Sequence, residues 1–248
     1  MIYYDSNLKI YYSSLINDDN YFSGFGTRDL GDGRKIDTII RFLKTNNINF
    51  KKIIIPDQIH SVNIEVYKIN NNDLIERIED TDGVITMEKN VVLTVVTADC
   101  LPMIVVDKNQ GLIGISHQGW RGSIKKMAQK MIKKMIDQGS DIKDIKAAIG
   151  PHIGQCCYNI DEDRYYQFRQ EFNGYTDKIF HWQKGQWHLN LGLLNYLLLQ
   201  EVGLKPNQID FFPFCTKCNK KKFFSFRGNK KDDYGEMISF IVNIVNNE

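Results

Sequence analysis

Three short runs, Val91 to Val96, Met103 to Val106 and Leu112 to Ser116, place apolar, largely β-branched residues at consecutive positions. Such runs suit strands covered on both faces, because a strand wetted on one side alternates apolar and polar residues. A chain with three of them in close succession must bury a sheet between other layers. Ile145 to Ile149 extends the pattern and ends in Gly150-Pro151, while Val62, Ile64 and Val66 alternate as on a half-buried strand. The turn residues Lys108-Asn109-Gln110-Gly111 lead into the third run.

Helical spacing follows. Ile124, Met127, Ala128, Met131, Ile132, Met135 and Ile136 form one apolar stripe, with Lys125, Lys126, Lys130, Lys133 and Lys134 opposite. Ser123 is the expected N-cap and Gly139 the expected stop. Helices are also expected over Glu162 to Phe172 and Asn190 to Val202, the latter stopped by Gly203. A hairpin is expected about Lys184-Gly185 within His181 to Leu191. Phe211 to Phe214, Phe223 to Phe226 and Ile238 to Val245 read as late strands, and Asn70 to Asp73 and Lys217 to Lys222 as surface loops. Strands and helices intermingle throughout, so residues 1–248 read as one α+β or α/β domain of mixed sheets with flanking helices.

Composition removes several function classes. The net charge is +2 over 248 residues, too balanced to point to a nucleic-acid or membrane-surface partner. No run approaches the roughly 18 apolar residues of a spanning helix, and the N-terminus shows no secretory pattern. Five cysteines, an odd number, do not suggest a disulfide framework, so reduced thiols and a cytoplasmic location are the expectation.

Chemistry concentrates at strand ends. His60 lies between two strand-like runs, Cys100 closes Thr97-Ala98-Asp99-Cys100, and His117 opens the segment before Gly119-Trp120-Arg121-Gly122. Two imidazoles and a thiolate can supply three zinc ligands and leave a fourth position open. The spacings, 39 residues and then 16, suit a site assembled by a fold and not a zinc finger. The same trio can work without metal, as a thiolate nucleophile beside a histidine base. Taken singly, Cys100 also fits a small buried apolar residue. Arg121, with the backbone of Gly119 and Gly122, lies between a strand and a helix start, a setting that favours phosphate. A tight turn with Trp120 in the core fits that segment equally. Gly150 to Gly154 reads as a pocket wall, and the adjacent Cys156 and Cys157 as a pair that cannot easily share a metal. Cys215-Thr216-Lys217-Cys218 has the spacing of half a zinc ribbon without its other half, and reads as two structural or exposed thiols. His181 and His188 read as surface residues.

In order along the chain, DQIHS, DGVIT, TADCLPMIVVD, HQGWRG, AAIGPHIGQCCY and CTKC with FFSFRG resemble the YfiH-type laccase-domain family, also called polyphenol oxidase or purine nucleoside phosphorylase family proteins. The resemblance spans Ser23 to Gly228 and is weakest in the N-terminal third, apart from Ser23 to Arg28. It implies a compact α+β domain of layered sheets with outer helices. It further implies an active-site cluster of His60, Cys100 and His117 associated with Zn²⁺. The implied reactions are phosphorolysis of adenosine, inosine, guanosine and S-methyl-5′-thioadenosine, with deamination of adenosine. Gln118 stands where many members carry alanine, which narrows the expected neighbourhood of His117. The partners expected are purine nucleosides and phosphate, in a monomer or small homo-oligomer. The alternative is a metal-independent Cys/His hydrolase or amidase. A copper polyphenol oxidase fits poorly, because five histidines without a His-x-His pair are few for a multicopper centre.

Overall fold

The computed structural model describes residues 1–229 and 233–245. In chain order the strands are β1 (Ile2–Asp5), β2 (Ile10–Ser13), β3 (Tyr21–Gly26), β4 (Lys52–Pro56), β5 (Ile64–Val66), β6 (Ile75–Ile78), β7 (Gly83–Thr86) and β8 (Val91–Thr97). They continue as β9 (Leu101–Asp107), β10 (Leu112–Gln118), β11 (Ile145–Ile149), β12 (Asn159–Ile160), β13 (Phe180–Gln183), β14 (Gln186–Leu189), β15 (Ile209–Phe211) and β16 (Met237–Asn243). The helices are α1 (Ile36–Thr45), α2 (Trp120–Ile124), α3 (Met127–Asp137), α4 (Glu162–Glu171), α5 (Thr176–Ile179) and α6 (Leu191–Glu201).

Two mixed sheets are stacked. One runs β1-β2-β3-β16-β8-β4-β6 and the other β15-β11-β9-β10-β7-β5, with a small third sheet β12-β14-β13. Between the two large sheets lie Val91, Leu93 and Val95 from one, and Ile104, Val106, Ile113 and Ile115 from the other. The outer face of the first sheet packs Ile53, Val92 and Phe240 on Ile39, Phe42 and Leu43 of α1. The outer face of the second packs Met103, Val105 and Leu112 on Met131 and Met135 of α3 and Leu194 and Leu198 of α6. The consecutive apolar runs thus have their explanation: β8, β9 and β10 are each buried on both sides. The fold is α+β, with layered mixed sheets and outer helices.

From β4 to β9 the chain alternates between the two sheets. It crosses at 57–63, at 79–82 and at 98–100, between β4 and β5, β6 and β7, and β8 and β9. These crossings build the site described below.

Several local expectations change. The lysine-rich helix is two helices, because Lys126 takes a left-handed conformation (φ 62°) between α2 and α3. Ser123, the expected N-cap, lies inside α2, where its buried hydroxyl accepts from Asn195 Nδ2 at 2.9 Å. Gly119 is the cap residue instead. The strand expected at Phe211 to Phe214 ends at Phe211, since Pro213 has no N–H for a ladder. Phe223 to Phe226 forms no strand; the amides of Ser225 and Arg227 bond to the side chains of Asn229 and Asp99. The hairpin about Lys184-Gly185 and helix α6, capped by Asn190 and followed by Gly203, are as expected.

The edge of the first sheet carries a buried charge. Lys52 is 2% exposed, and its ammonium donates to Glu76 Oε2 at 2.8 Å, which also accepts from Tyr67 Oη at 2.8 Å. The hydrogen bond from Lys52 holds the Glu76 carboxyl below its usual range. Without Glu76 the Lys52 ammonium keeps Asn71 O and Oδ1 as acceptors but loses its counter-charge, at a cost of about 1.5–3 kcal/mol. Glu76→Gln should therefore be clearly destabilised at pH 7 in urea unfolding. A depressed carboxyl pKa stabilises above the unfolded value, about 4.3, and that contribution is lost as pH falls through the folded value. The deficit of the variant relative to wild type should accordingly shrink below about pH 4. A deficit independent of pH would remove the ion pair as its cause.

Candidate active site

Each of the three crossings from the first sheet to the second delivers one polar residue to the same place. The crossing at 57–63 carries His60, whose φ of 60° is left-handed. Gln58 anchors this segment by pairing with β8 as a strand would: its amide donates to Val96 O and its carbonyl accepts from Val96 N, both at 2.8 Å. The crossing at 79–82 carries Asp82, and that at 98–100 carries Cys100 after Asp99, which is also left-handed at φ 86°. His117 comes from the end of β10 and is 3% exposed.

Asp82 has no exposed surface. Its Oδ1 accepts from His117 Nδ1 at 2.7 Å and from the His60 amide at 3.1 Å. Its Oδ2 accepts from Ser61 N at 2.6 Å, Ser61 Oγ at 2.7 Å and Ile59 N at 3.2 Å. One carboxylate thus fixes the backbone that presents His60 and the ring of His117. Burial pushes its carboxyl up, but the hydrogen bonds from His117 and Ser61 outweigh this and hold it below the usual carboxylate range.

With Nδ1 of His117 taken, its Nε2 is left for other chemistry. The His60 and His117 rings meet edge to face at 4.7 Å between centroids, and Cys100 Sγ lies 3.8 Å from His60 Nε2. One nitrogen from each imidazole and the Cys100 sulfur fall within 4.8 Å of one another. Burial pushes the Cys100 thiol up, yet the charge of His117 beside it, with hydrogen bonds to both histidines, brings it down to about 7. Burial works against the charge on His117, and the Cys100 thiolate and Asp82 raise its pKa well above the ordinary histidine range. The donor set fits a metal such as zinc: borderline-soft nitrogen and sulfur, a sulfur ready to ionise, and a carboxylate behind one histidine.

The three residues line a cavity of about 670 Å³. Trp120, Tyr158, Phe226 and Tyr234 line it too, as do Arg34, Arg77, Arg121, Arg164 and Arg227. The guanidinium carbons of Arg121 and Arg164 lie 4.6 and 4.3 Å from the Trp120 ring centroid. Gly119 owes its identity to crowding: a Cβ there would meet His60 Cδ2 at 2.7 Å and Cys100 Sγ at 3.2 Å. Gly122 faces the Ser61 carbonyl in the same way, at 3.3 Å. Gln118 is on the opposite face of β10 from His117, where its amide donates to Ser116 Oγ at 3.0 Å, so it does not narrow the histidine's surroundings.

The family model described as multi-copper polyphenol oxidoreductase laccase matches residues 30–243. The chain belongs to this family. It is 37% identical over 163 residues to a Bacillus subtilis protein named purine nucleoside phosphorylase YlmD, covering 65% of this chain and 58% of that protein. It is 29% identical over 217 residues to adenosine deaminase RL5 of an unknown prokaryotic organism, covering 84% and 83% of the two chains. The crystal structure of YlmD from Geobacillus stearothermophilus superposes with a TM-score of 0.85 at 23% identity, over 98% of this chain and 99% of that one. The chain thus has the fold of that YlmD protein, and it spans 58% of the length of the Bacillus subtilis relative. No helix among the described residues is long and apolar enough to cross a membrane.

Asp82 and Asp99 are site residues that sequence reasoning did not assign. Asp82 stands in DGVIT, 22 residues after His60, where nothing in the spacing marks it as the histidine's partner. Asp99 accepts from Thr216 Oγ1 at 2.6 Å, Ser225 Oγ at 3.0 Å and Arg227 N at 2.7 Å, and so pins residues 216–227 over the Cys100 turn.

The crowding at Gly119 makes a sharp test. Gly119→Ala should displace His60 or Cys100 by a fraction of an ångström or more while leaving the layered core untouched. Misplacements of about 1 Å cost on the order of 100-fold in rate. Activity should fall by that order with a thermal midpoint within a few degrees of wild type; unchanged activity would show that the contact is easily relieved.

Proposed function

We propose that the protein acts on purine nucleosides at the His60, Cys100 and His117 site, by phosphorolysis of adenosine, inosine, guanosine and S-methyl-5′-thioadenosine and by deamination of adenosine. The observation that carries this reading is the meeting, in one cavity, of the His/Cys/His cluster with aromatic faces and several guanidinium groups. A cavity of about 670 Å³ is of the size that takes small-molecule ligands. The names of the relatives support the same substrate class.

Phe226, exposed at the cavity, offers a face on which a purine base stacks, while Trp120 and Tyr158 carry the guanidinium groups of Arg121, Arg164 and Arg227. Arg121 and Arg164 bind phosphate, bidentately where the fork of the guanidinium allows. Gly119 and Gly122 serve these groups indirectly, by leaving room for His60, Cys100 and the Ser61 carbonyl beneath them. In phosphorolysis a phosphate oxygen bonds to the ribose anomeric carbon as its bond to the base breaks, and the base leaves carrying a proton. In deamination water oxygen replaces the amino group, which leaves as ammonia. Asp82 keeps the Nδ1 proton of His117 in place, so that the other nitrogen faces the cavity. His60, Cys100 and His117 would hold Zn²⁺, which supplies Lewis acidity for a polarised oxygen. The setting is the cytoplasm.

A second reading has its own observation. Cys100 with a thiol pKa of about 7, His117 beside it and Asp82 behind His117 also form a Cys–His–Asp series fit for a metal-independent hydrolase or amidase. The copper reading has less: of five histidines, two enter the cluster, whereas His152 is buried against the Gly150 carbonyl and His188 bonds to the Gln155 carbonyl.

Zinc content and adenosine turnover, with and without phosphate, should be measured on wild type and Cys100→Ala. Zinc at the cluster, lost in the variant together with adenine or inosine production, supports the proposal. Protein without zinc at this cluster that hydrolyses an amide or ester through Cys100 supports the second reading. Asp82→Asn should weaken metal affinity or activity by about 10–100-fold. Arg121→Ala should raise the KM for phosphate by about tenfold or more, as loss of a charged hydrogen bond of about 1.5–3 kcal/mol requires, while sparing deamination. An equal loss in both reactions would move Arg121 from phosphate to the nucleoside.

A further inference from the structure

The fold answers the question left by Cys215-Thr216-Lys217-Cys218. Its missing half is the adjacent pair Cys156 and Cys157, brought in from a turn that ends 58 residues earlier. The four sulfurs all lie within 4.8 Å of one another. Cys218 Sγ is 3.6 Å from Cys156 Sγ and 3.5 Å from Cys157 Sγ. Zn–S bonds of about 2.3 Å set the sulfurs of a tetrahedral centre about 3.8 Å apart. A disulfide needs about 2.05 Å. The observed spacing is that of thiolates around an ion. The expectation that neighbouring cysteines cannot share a metal is overturned by the turn itself, in which the amides of Cys157 and Tyr158 both bond to Gly154 O, at 3.0 and 3.1 Å.

We propose that Cys156, Cys157, Cys215 and Cys218 bind one structural Zn²⁺, separate from the His60, Cys100 and His117 cluster. Four thiolates close the coordination sphere and leave no place for water or substrate, as in structural sites. Each thiol gives up a proton on binding, so the assembled centre carries a charge of −2. Lys217, Lys220 and Lys221 in the second turn complement that charge. Cys156 and Cys218 are exposed and Cys215 is buried, so an ion can enter from solvent and still be held against the core. The approach of the two turns is built in: a Cβ on Gly154 would meet Cys215 Cβ at 2.9 Å and Cys156 Sγ at 3.4 Å.

The centre ties together two loops that wall the active-site cavity. One supplies Ile153 and Tyr158, and the other runs on to Phe226 and Arg227. Backbone pairing between them is slight: a bridge between His152 and Cys215, with Thr216 N donating to His152 O at 3.1 Å. A metal staple is what such a junction lacks.

Cobalt reports on this directly. In Cys100→Ala the four clustered cysteines are the remaining thiols of the chain. Co²⁺ added to this metal-free, fully reduced variant should give intense thiolate-to-cobalt charge-transfer absorption, with tetrahedral d–d bands, saturating at one equivalent. Zn²⁺ should displace it, and the thermal midpoint should rise with the metal. Cys218→Ser added to the same background changes an exposed turn residue, and should abolish the tetrathiolate spectrum and protection of the other thiols from alkylation. Absence of thiolate–cobalt absorption in the folded Cys100→Ala protein overturns the proposal. So does an unchanged spectrum after Cys218→Ser.

Discussion

A carboxylate taken out of water must be compensated where it sits, or it will not stay ionised. Asp82 meets this demand with five donors: three backbone amides, one hydroxyl and one imidazole. Much else follows from that compensation. The amides belong to the segment that presents His60, and the imidazole is His117. Removing the carboxylate would free a left-handed backbone segment, unfix a ring and leave amides unbonded in the interior. Together with the Cys100 thiolate, the charge also raises the pKa of His117, whose own charge lowers the Cys100 thiol.

Asp99 plays the corresponding part on the other side. Its backbone lies in a left-handed conformation that costs of order 1–3 kcal/mol for a residue with a side chain. Its carboxylate offsets this by gathering Thr216, Ser225 and Arg227. The segment so held includes the turn bearing Cys215 and Cys218, and its continuation lines the cavity. A metal bound by the four cysteines would hold the same segment from outside while Asp99 holds it from within.

The parts of this structure legible from sequence are those where local pattern and tertiary fate coincide. The apolar runs of β8 to β11 had to be strands buried on both sides, and α6 carries its own cap and stop. His60, Cys100 and His117 stood out because their neighbours contain glycine, proline or a motif of family character. The long N-terminal stretch was less legible. Tyr21 to Gly26 mixes aromatic residues with Gly24, against which Ile10 and Phe240 lie, and Gly26, which faces the Ile238 carbonyl, reasons visible only once the sheet is assembled. Asp82 resembles any turn aspartate until its donors are in place. Likewise Cys156-Cys157 and Cys215-x-x-Cys218 each look incomplete, because what completes them is a contact between distant turns. The break at Lys126 leaves no mark in the sequence, since the apolar stripe of α3 continues with Ile124 across it.

The topology explains why these residues meet at all. Strands β4 to β9 belong alternately to the two large sheets, so the chain passes between layers again and again. A crossing leaves both ladders and has backbone groups to satisfy, which is where a buried carboxylate finds donors and a histidine can take an unusual φ. Crossings at one end of the stack necessarily converge, and here they hold His60, Asp82 and Cys100, with His117 arriving at the end of β10. Neither sheet could build this constellation alone. The core between the sheets therefore sets more than stability: a change that slides one sheet against the other moves His60 and Cys100 relative to His117. Leu93 and Ile115 are among the buried residues between the sheets that fix that registry.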